Sequence, residues 1–173
     1  SNVAKFLCQK QYEVVGVDNL IGGIETNIHP NVEYHKHDIL DVRAMKGLMK
    51  DCDIVFHAAA LPYEGLSVFS PKLCVESIVS GTVSIASAAI SNNVKRFINC
   101  SSMARYGHGV PPFMETHSTK PVDPYGLAKI QAEQHLKLLS EIHGLNYTTI
   151  VPHNVIGVGQ RYNDPFRNVV AIM

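Results

Sequence analysis

The sequence lacks an excess of charge of either sign. Lys and Arg together number 15, as do Asp and Glu, so the formal net charge at pH 7 is zero. Proteins that bind nucleic acid or anionic lipid through phosphate groups carry a basic field. The charge balance therefore argues against a nucleic-acid partner or a membrane surface, and it favours a small-molecule ligand.

Cysteines are also scarce, and they show no paired short spacing of the kind found in zinc knuckles or disulfide frameworks. The four are Cys8, Cys52, Cys74 and Cys100. We expect reduced thiols, as is typical of a cytoplasmic protein. His35 and His37 share a face of a predicted strand, but no third ligand follows at a recognisable spacing. We interpret them as solvated residues and predict no metal site.

Targeting and membrane-spanning segments are not evident. The N-terminal residues SNVAKFLCQKQY lack the cationic region and apolar run of a signal peptide. The one candidate for a membrane span, residues 73–90, carries Glu76 together with serines, a threonine and a glycine. A buried helix is therefore the better interpretation of that segment.

Apolar runs rich in β-branched residues alternate with helical patterns along the chain. The runs predict strands over residues 12–18, 32–38, 53–59, 95–102 and 147–154. Helices are predicted at about 2–10, 41–50, 72–92 and 123–143. This alternation predicts an α/β fold, a doubly wound parallel sheet whose strands are joined by right-handed crossovers.

The segment DPYGLAKIQAEQH places Tyr125 and Lys129 four positions apart, on one face of a predicted helix. Asp123 can cap this helix, Pro124 suits its first turn, and Gly144 fits the position after its end. A snorkelling lysine beside a half-buried tyrosine is the simpler interpretation. The alternative is a proton-transfer pair, in which the ammonium group and a cationic nicotinamide ring lower the phenol pKa below its usual value of about 10.

Carboxylates and serines stand where predicted strands end, at the edge where open α/β sheets bind ligands. Asp18 ends the first predicted strand and Asp38 the second, where a carboxylate accepts hydrogen bonds from ribose hydroxyls. Taken singly, each fits an ordinary turn residue equally well. Ser101 and Ser102 end the fourth strand, and Ser102 could hold a reacting oxygen while Tyr125 moves its proton.

Small residues follow the third predicted strand. Ala58, Ala59 and Ala60 would allow a cofactor to approach the backbone, or they reflect only tight packing of a strand on a helix. No arginine follows Asp18 in VDNLIGG, so this carboxylate would repel a 2′-phosphate and NAD fits better than NADP. No G-x-G-x-x-G loop occurs in the sequence to hold a pyrophosphate.

Taken together, these segments resemble the extended short-chain dehydrogenases/reductases, within the NAD-dependent epimerase/dehydratase group that acts on nucleotide sugars. The matching elements, in order, are Asp18-Asn19, Asp38-Ile39, HAAA (57–60), SGT (80–82), SSMARYG (101–107), PVDPYGLAK (121–129) and VPHNVIG (151–157). The resemblance implies Ser102, Tyr125 and Lys129 as the catalytic set, and Ser102, Tyr125 and Asn154 as substrate contacts. The residues it implies at the NAD site are Asp18, Asn19, Asp38, Ile39, Ala58, Ala59, Ala60, Ser101, Tyr125, Lys129, Pro152 and His153.

The resemblance also implies that only part of the family's architecture is present. Family members carry a G-x-x-G-x-x-G segment just before a helix that resembles SNVAKFL. We therefore expect residues 1–173 to form a partial NAD-binding Rossmann-like domain that lacks its first strand. We also expect a C-terminal substrate-binding domain outside this chain. On its own such a chain is expected to bind NAD weakly or not at all.

The residues beside the predicted catalytic serine indicate which reaction follows. Relatives that eliminate water carry acidic residues there, whereas Ser102-Met103-Ala104 supplies no acid or base. The resemblance therefore implies an epimerase, with a UDP-hexose oxidised at C4 and reduced again from the other face. A nucleotide-sugar dehydratase, an NAD(P)-dependent ketosugar reductase and a non-catalytic nucleotide-binding relative are the alternatives.

Two further expectations concern the apolar faces of two helices and the position of Arg105. The 123–143 helix has apolar residues on two opposed sides, and the 72–92 helix is nearly uncharged all round. Both need a second packing partner, which predicts a homodimer through these helices, with coverage by another domain as the alternative. Arg105 is interpreted either as a surface residue or as a contact to a phosphate or sugar.

Overall fold

Parallel strands and intervening helices make up the described part of the protein, residues 1–164 of a computed structural model. The strands are β1 (Val15–Val17), β2 (Glu33–His35), β3 (Ile54–His57), β4 (Arg96–Cys100) and β5 (Tyr147–Ile150). The helices are α1 (Asn2–Gln9), α2 (Val42–Leu48), α3 (Glu64–Ser67), α4 (Pro71–Cys74), α5 (Gly81–Ser91) and α6 (Pro124–His143). A π-helical segment (Val75–Ser80) joins α4 to α5, and 3₁₀ turns occur at Glu25–Asn27 and Met103–Tyr106.

All the described strands pair in parallel, and they form two sheets. In one, β1 pairs with β2; in the other, the order is β3-β4-β5, so that Phe97 lies between Val55 and Tyr147. This pairing confirms the predicted Rossmann-type α/β class. Each strand is shorter than predicted. Strands β2 to β5 end early because the residues that follow them form loops, whereas β1 begins later than predicted, at Val15. The loops that follow the strands lie at the carboxyl ends of the two sheets, where the predicted site residues are found.

The main core lies between the three-stranded sheet and helices α2, α5 and α6. Phe97, Leu136 and Met45 are fully or almost fully buried there. A run of alanines on α5 is also fully buried, and these small side chains leave room for close helix packing. A second, smaller cluster, which includes Ile78 and Tyr125, packs α6 against the α4–π segment. Helix α6, which carries Tyr125 and Lys129, therefore packs in both clusters.

The predicted 72–92 helix is not regular, because it is interrupted at Val75–Ser80 by a π-helical segment. By length and apolar composition alone, the continuous helical stretch Pro71–Ser91 could cross a membrane. Somewhat less than half of its most apolar part is buried, and the stretch packs against α2 and α6 of the same molecule. It thus has the features of a core helix, as the sequence indicated, and core helices of this kind pass the same test.

Helix α6 begins and ends as its sequence predicts. The Asp123 carboxylate accepts a hydrogen bond from the Gly126 amide at 2.8 Å, and Pro124 occupies the first turn. Gly144 ends the helix in the left-handed conformation, with φ of 71°. One face of α6 is buried, whereas Leu138 and Ile142 on the other are 52% and 62% exposed. These local signals fix the rotation of the helix and therefore the direction in which Tyr125 points.

Replacing Gly107 by Ala should destabilise the fold. Gly107 follows the Met103–Tyr106 turn with φ of +57°, and an added Cβ would lie 2.0 Å from the Lys120 carbonyl oxygen. We expect the free energy of unfolding to fall by about 1–3 kcal/mol from backbone strain alone. Gly47→Ala in α2 is the control, because nothing lies within 4 Å of its added Cβ. It should gain about 0.5–1 kcal/mol. Urea unfolding that ranks the two variants equally would contradict this.

Candidate active site

Helix α6 presents Tyr125 and Lys129 to the end of β4, where Ser101 and Ser102 stand. The two helix side chains are 6% and 7% exposed, which is unusual burial for a lysine. The Ser102 hydroxyl lies close enough to Tyr125 to act on the pKa of its phenol. The structure thus brings together the serine, tyrosine and lysine that the sequence singled out. The simpler interpretation, a lysine snorkelling to solvent, does not describe this side chain.

Lys129 is held by the backbone of β4. Its Nζ donates a hydrogen bond to the Cys100 carbonyl oxygen at 2.7 Å, and it lies 5.7 Å from the centroid of the Tyr125 ring. Burial lowers the pKa of Lys129 to about 8, although the nearby thiols of Cys100 and Cys74 and the Glu133 carboxylate act to raise it. The ammonium group therefore loses its proton more easily than an ordinary lysine.

The expected lowering of the Tyr125 pKa is not found in the chain alone. Burial raises the pKa of Tyr125 to about 12, and the negative charges of Glu64 and Asp123 add to the rise. The Ser102 hydroxyl acts to lower the pKa of Tyr125, but its effect is smaller than that of burial. The physical reason is that desolvation penalises the phenolate more than the site's polar contacts favour it. Tyr125 is therefore a protonated phenol here.

Hydrogen bonds to the backbone hold Ser102 and its turn in front of α6. Its Oγ accepts a hydrogen bond from the Ala104 amide at 3.2 Å and so caps the 3₁₀ turn. The Met103 amide donates to the Pro152 carbonyl at 3.3 Å, which ties this turn to the end of β5. Gly126 permits the close approach of α6, because an added Cβ would lie 2.7 Å from the Ala104 carbonyl oxygen. The absence of a side chain at Gly126 therefore allows α6 to pack closely against the 3₁₀ turn.

The predicted ribose site lies at the ends of β1 and β2. Asn19 Nδ2 donates to Asp38 Oδ2 at 3.1 Å, which joins the two strand ends. One oxygen of each carboxylate is used locally: Asp18 Oδ1 accepts from Leu20 N at 2.7 Å, and Asp38 Oδ1 from Leu40 N at 2.9 Å. Both side chains are exposed. The acceptor-only chemistry of Asp18 suits a diol donor and opposes an added phosphate.

The other predicted cofactor and substrate residues lie on neighbouring loops. Ala58 is exposed just after β3, whereas Ala59, Ala60, Ile39 and Pro152 are half-buried. His153 and Asn154 are exposed after β5, with their side chains 3.5 Å apart. Asn154 adopts a positive φ of 44°, as a strand-end turn residue can. Its recorded side-chain contact is to His153 and not to Ser102 or Tyr125.

His57 links two of the motif segments, HAAA and SGT. It is buried, and its Nε2 lies 3.0 Å from Thr82 Oγ1 on α5. Burial, with the positive charge of Lys129 as a second cause, lowers the pKa of His57 to about 3. The imidazole is therefore neutral at physiological pH and serves to hold β3 against α5.

The structure corrects one assignment and adds two residues. Arg105 is not a surface residue, because its guanidinium forms an ion pair with Glu133 at 2.8 Å, with both side chains largely buried. Glu133, which the sequence interpretation passed over, lies one turn beyond Lys129, and this spacing was the available signal. Glu64 on α3 was also missed; burial raises its pKa, and its charge acts on Tyr125.

Groups of three or more His, Cys, Asp or Glu side chains that could hold a metal ion are not found within residues 1–164. A parallel sheet with a Ser-Tyr-Lys cluster at its carboxyl edge defines the class of short-chain dehydrogenase/reductase folds. Within that class the chain belongs to the NAD dependent epimerase/dehydratase family, whose family model matches residues 1–173.

The relatives of this chain include sugar-nucleotide epimerases. UDP-glucose 4-epimerase of Mycolicibacterium smegmatis is 32% identical over 157 residues, which covers 85% of this chain and 50% of the relative. The structure of UDP-glucose 4-epimerase with UDP-glucose from Thermotoga maritima has a TM-score of 0.94 at 31% identity, covering 99% of this chain and 57% of that one.

A second solved structure, UDP-glucose 4-epimerase from Brucella ovis in complex with NAD, has a TM-score of 0.81 at 31% identity. The match covers 87% of this chain and 47% of that one. The chain spans about half the length of the curated relatives that it matches.

Proposed function

We propose that the protein is an NAD-dependent nucleotide-sugar epimerase that inverts C4 of a UDP-hexose. The observation that carries the proposal is the cluster of Ser102, Tyr125 and Lys129 at the carboxyl edge of a parallel sheet. The similarity to UDP-glucose 4-epimerases, one of them solved with UDP-glucose, supports the substrate class.

The residues present fit NAD as the cofactor. Asp18 lies at the end of β1 beside Asn19 and Asp38, and its Oδ2, for which residues 1–164 show no hydrogen-bond donor, could accept hydrogen bonds from ribose hydroxyls. No arginine follows in VDNLIGG to pair with a 2′-phosphate. Ala58 to Ala60 follow β3, and Pro152 and His153 follow β5 of the same sheet, and these residues would contact the rest of the cofactor. When bound, NAD supplies a hydride acceptor and a positive charge that, with Lys129, favours the Tyr125 phenolate.

Proton transfer is the part of the reaction assigned to this chain's own side chains. Ser102 holds the C4 hydroxyl by a hydrogen bond, and Tyr125 as phenolate takes the hydroxyl proton as the carbon is oxidised. On the return step Tyr125 gives the proton back to the same oxygen. Lys129 keeps its ammonium beside the ring through its bond to the Cys100 carbonyl. Asn154, which follows β5, is the proposed further substrate contact.

Product analysis separates epimerisation from the related reactions. The protein that carries this chain should interconvert UDP-glucose and UDP-galactose, or another C4 pair from a UDP-sugar panel, with catalytic NAD. A dehydratase would instead yield a stable keto sugar, for which Glu64 is a candidate acid. A ketosugar reductase would consume NADPH in proportion to product. Binding without turnover of any UDP-sugar would indicate a non-catalytic relative.

The exposed faces of the helices support a homodimer, which we propose as the assembly of the protein. Leu138 and Ile142 on α6 are exposed, as are Leu73 on α4 and Val75 on the π segment. Monomeric proteins seldom leave large apolar surfaces exposed, and a second copy presents the same surfaces for burial.

Leu138→Glu should convert the dimer into a monomer. Burying an unpaired carboxylate costs several kcal/mol, so the dissociation constant should rise at least about 100-fold. Light scattering coupled to gel filtration measures the mass of each variant. Val158→Glu, on an exposed loop after β5, is the control that should leave the mass unchanged. A monomeric unsubstituted protein would rule out this assembly.

The thiols support a reducing compartment. All four cysteines of the sequence are free, and Cys74 is buried close to Tyr125. Proteins exposed to an oxidising compartment tend to pair such residues. We therefore propose a cytoplasmic location, where fractionation should recover the protein.

A further inference from the structure

A third side chain of α6 contacts the same strand end as Tyr125 and Lys129. Glu133 lies one turn beyond Lys129, and its Oε1 accepts a hydrogen bond from Ser101 Oγ. Its Oε2 lies 2.8 Å from Arg105 Nη1, with the two side chains 16% and 17% exposed. We propose that Glu133 is a positioning residue that holds Ser102 in register with Tyr125. This role rests on the proposed function.

The connectivity explains why one carboxylate can set the place of Ser102. Ser101 precedes Ser102, and Arg105 lies in the 3₁₀ turn that Ser102 caps. The residues on both sides of Ser102 in the sequence are thus bound to Glu133 of α6. The Ser101 amide also donates to the Ile150 carbonyl at 2.9 Å, so the network continues into β5. Helix, strand end and turn are therefore joined through Glu133.

The charges make this anchor hard to replace by other contacts. The Arg105 guanidinium lies over the Tyr106 ring at 5.2 Å, and its buried Nε has no hydrogen-bond partner among residues 1–164. Without the Glu133 carboxylate, a mostly buried cation would lose its counter-charge, and the turn would have to shift to solvate it. A shift of the turn moves Ser102 relative to Tyr125.

Glu133 also acts on Lys129 through its charge. The ionisable groups that face Lys129 are Tyr125 and Glu133 on α6, Cys100 on β4, Cys74 on α4 and His57 on β3. Of these, Glu133 is the carboxylate, and it raises the pKa of Lys129 against the larger lowering by burial. Its removal should therefore let the ammonium lose its proton at a lower pH, whereas the neutral His57 does not compensate.

Steady-state kinetics of Glu133→Gln test the role in the protein that carries this chain. Glutamine keeps the shape and a hydrogen bond to Ser101 but removes the charge. We expect kcat to fall about 10- to 100-fold, since small misplacements of reacting groups cost that much, with KM within about threefold. The alkaline limb of the kcat–pH profile should move to lower pH. Glu141→Gln, an exposed residue of the same helix, should change neither quantity.

The outcomes separate a positioning role from a merely structural one. A folded Glu133→Gln protein with normal kcat and a normal alkaline limb would overturn the proposal. So would an activity loss that only follows the unfolded fraction, with the pH profile unchanged. If glutamine prevents folding, Glu133→Asp, which keeps the charge, should show reduced kcat with the alkaline limb near its original pH; unchanged kcat in that variant would overturn the role.

Tyr125→Phe is assayed in parallel. This variant distinguishes a failure of the Glu133 proposal from a failure of the proposed function. An inactive Tyr125→Phe beside an unaffected Glu133→Gln overturns only the role of Glu133. A fully active Tyr125→Phe overturns the proposed function and the role of Glu133 with it.

Discussion

Tyr125→Phe should lower kcat for epimerisation by about a thousandfold, the middle to upper part of the range for loss of a positioned proton-transfer group. The variant removes one oxygen from a 6% exposed side chain and leaves its ring packed against Ile78 and Ala132. KM for the UDP-hexose should change little, because the remaining substrate contacts are intact. The comparison is made by initial rates with each variant saturated with NAD.

The matched control for this prediction is Tyr12→Phe. Tyr12 is 60% exposed in the turn before β1 and is not part of the site. It should have unchanged kcat. A Tyr125→Phe protein that is folded and retains more than about a tenth of the activity would contradict the assignment of Tyr125 as the proton-transfer residue.

Lys129→Met should lower kcat by about 100- to 1000-fold. The substitution removes the cation that favours the phenolate and the hydrogen bond to the Cys100 carbonyl, while methionine retains most of the buried apolar stem. The same substitution should raise the free energy of unfolding, although it lowers kcat. A buried ammonium is costly, as its pKa of about 8 shows, so the folded state gains by losing it.

The pH dependence of stability tests whether the buried Lys129 ammonium destabilises the folded protein. The pKa of Lys129 is lower in the folded protein than in the unfolded chain, so the destabilising burial of charge is fully present below pH 8. It is relieved as pH rises from about 8 towards the unfolded value of 10.5. Lys129→Met should therefore lose this rise in its stability-versus-pH curve.

Lys137→Met, an exposed lysine on the same helix, serves as control for both readouts and should match the unsubstituted protein. Equal kcat in the Lys129 and Lys137 variants would remove Lys129 from the mechanism.

The local features of the site could be predicted from sequence because they depend on near neighbours. Asp123, Pro124 and Gly144 set the ends of α6, and the helical repeat then places Lys129 on the same face as Tyr125. Alternating strands and helices fixed the fold class for similar reasons. The strand-end residues Asp18, Asp38 and Ser102 followed from the rule that ligands gather at the carboxyl edge.

Features that depend on contacts distant in sequence escaped prediction. The partner of Arg105 lies 28 residues away on α6, so no local pattern separates a buried ion pair from a surface arginine. The balance of burial against charge at Tyr125 depends on groups from α3, α4 and the turn before α6. It raises the Tyr125 pKa in the chain alone, whereas the sequence predicted a lower pKa from Lys129 together with a cationic nicotinamide ring. The π segment in the 72–92 helix was likewise hidden, because its residues show an ordinary helical pattern.

Retention of isotope at C4 tests the central claim most directly. The protein that carries this chain is given a UDP-hexose with deuterium at C4, and the product epimer is analysed by mass spectrometry and NMR. Oxidation and reduction of one carbon at the Ser102–Tyr125–Lys129 site predict full deuterium at C4 of the product. Deuterium lost to water, or inversion at a different carbon, would contradict the account.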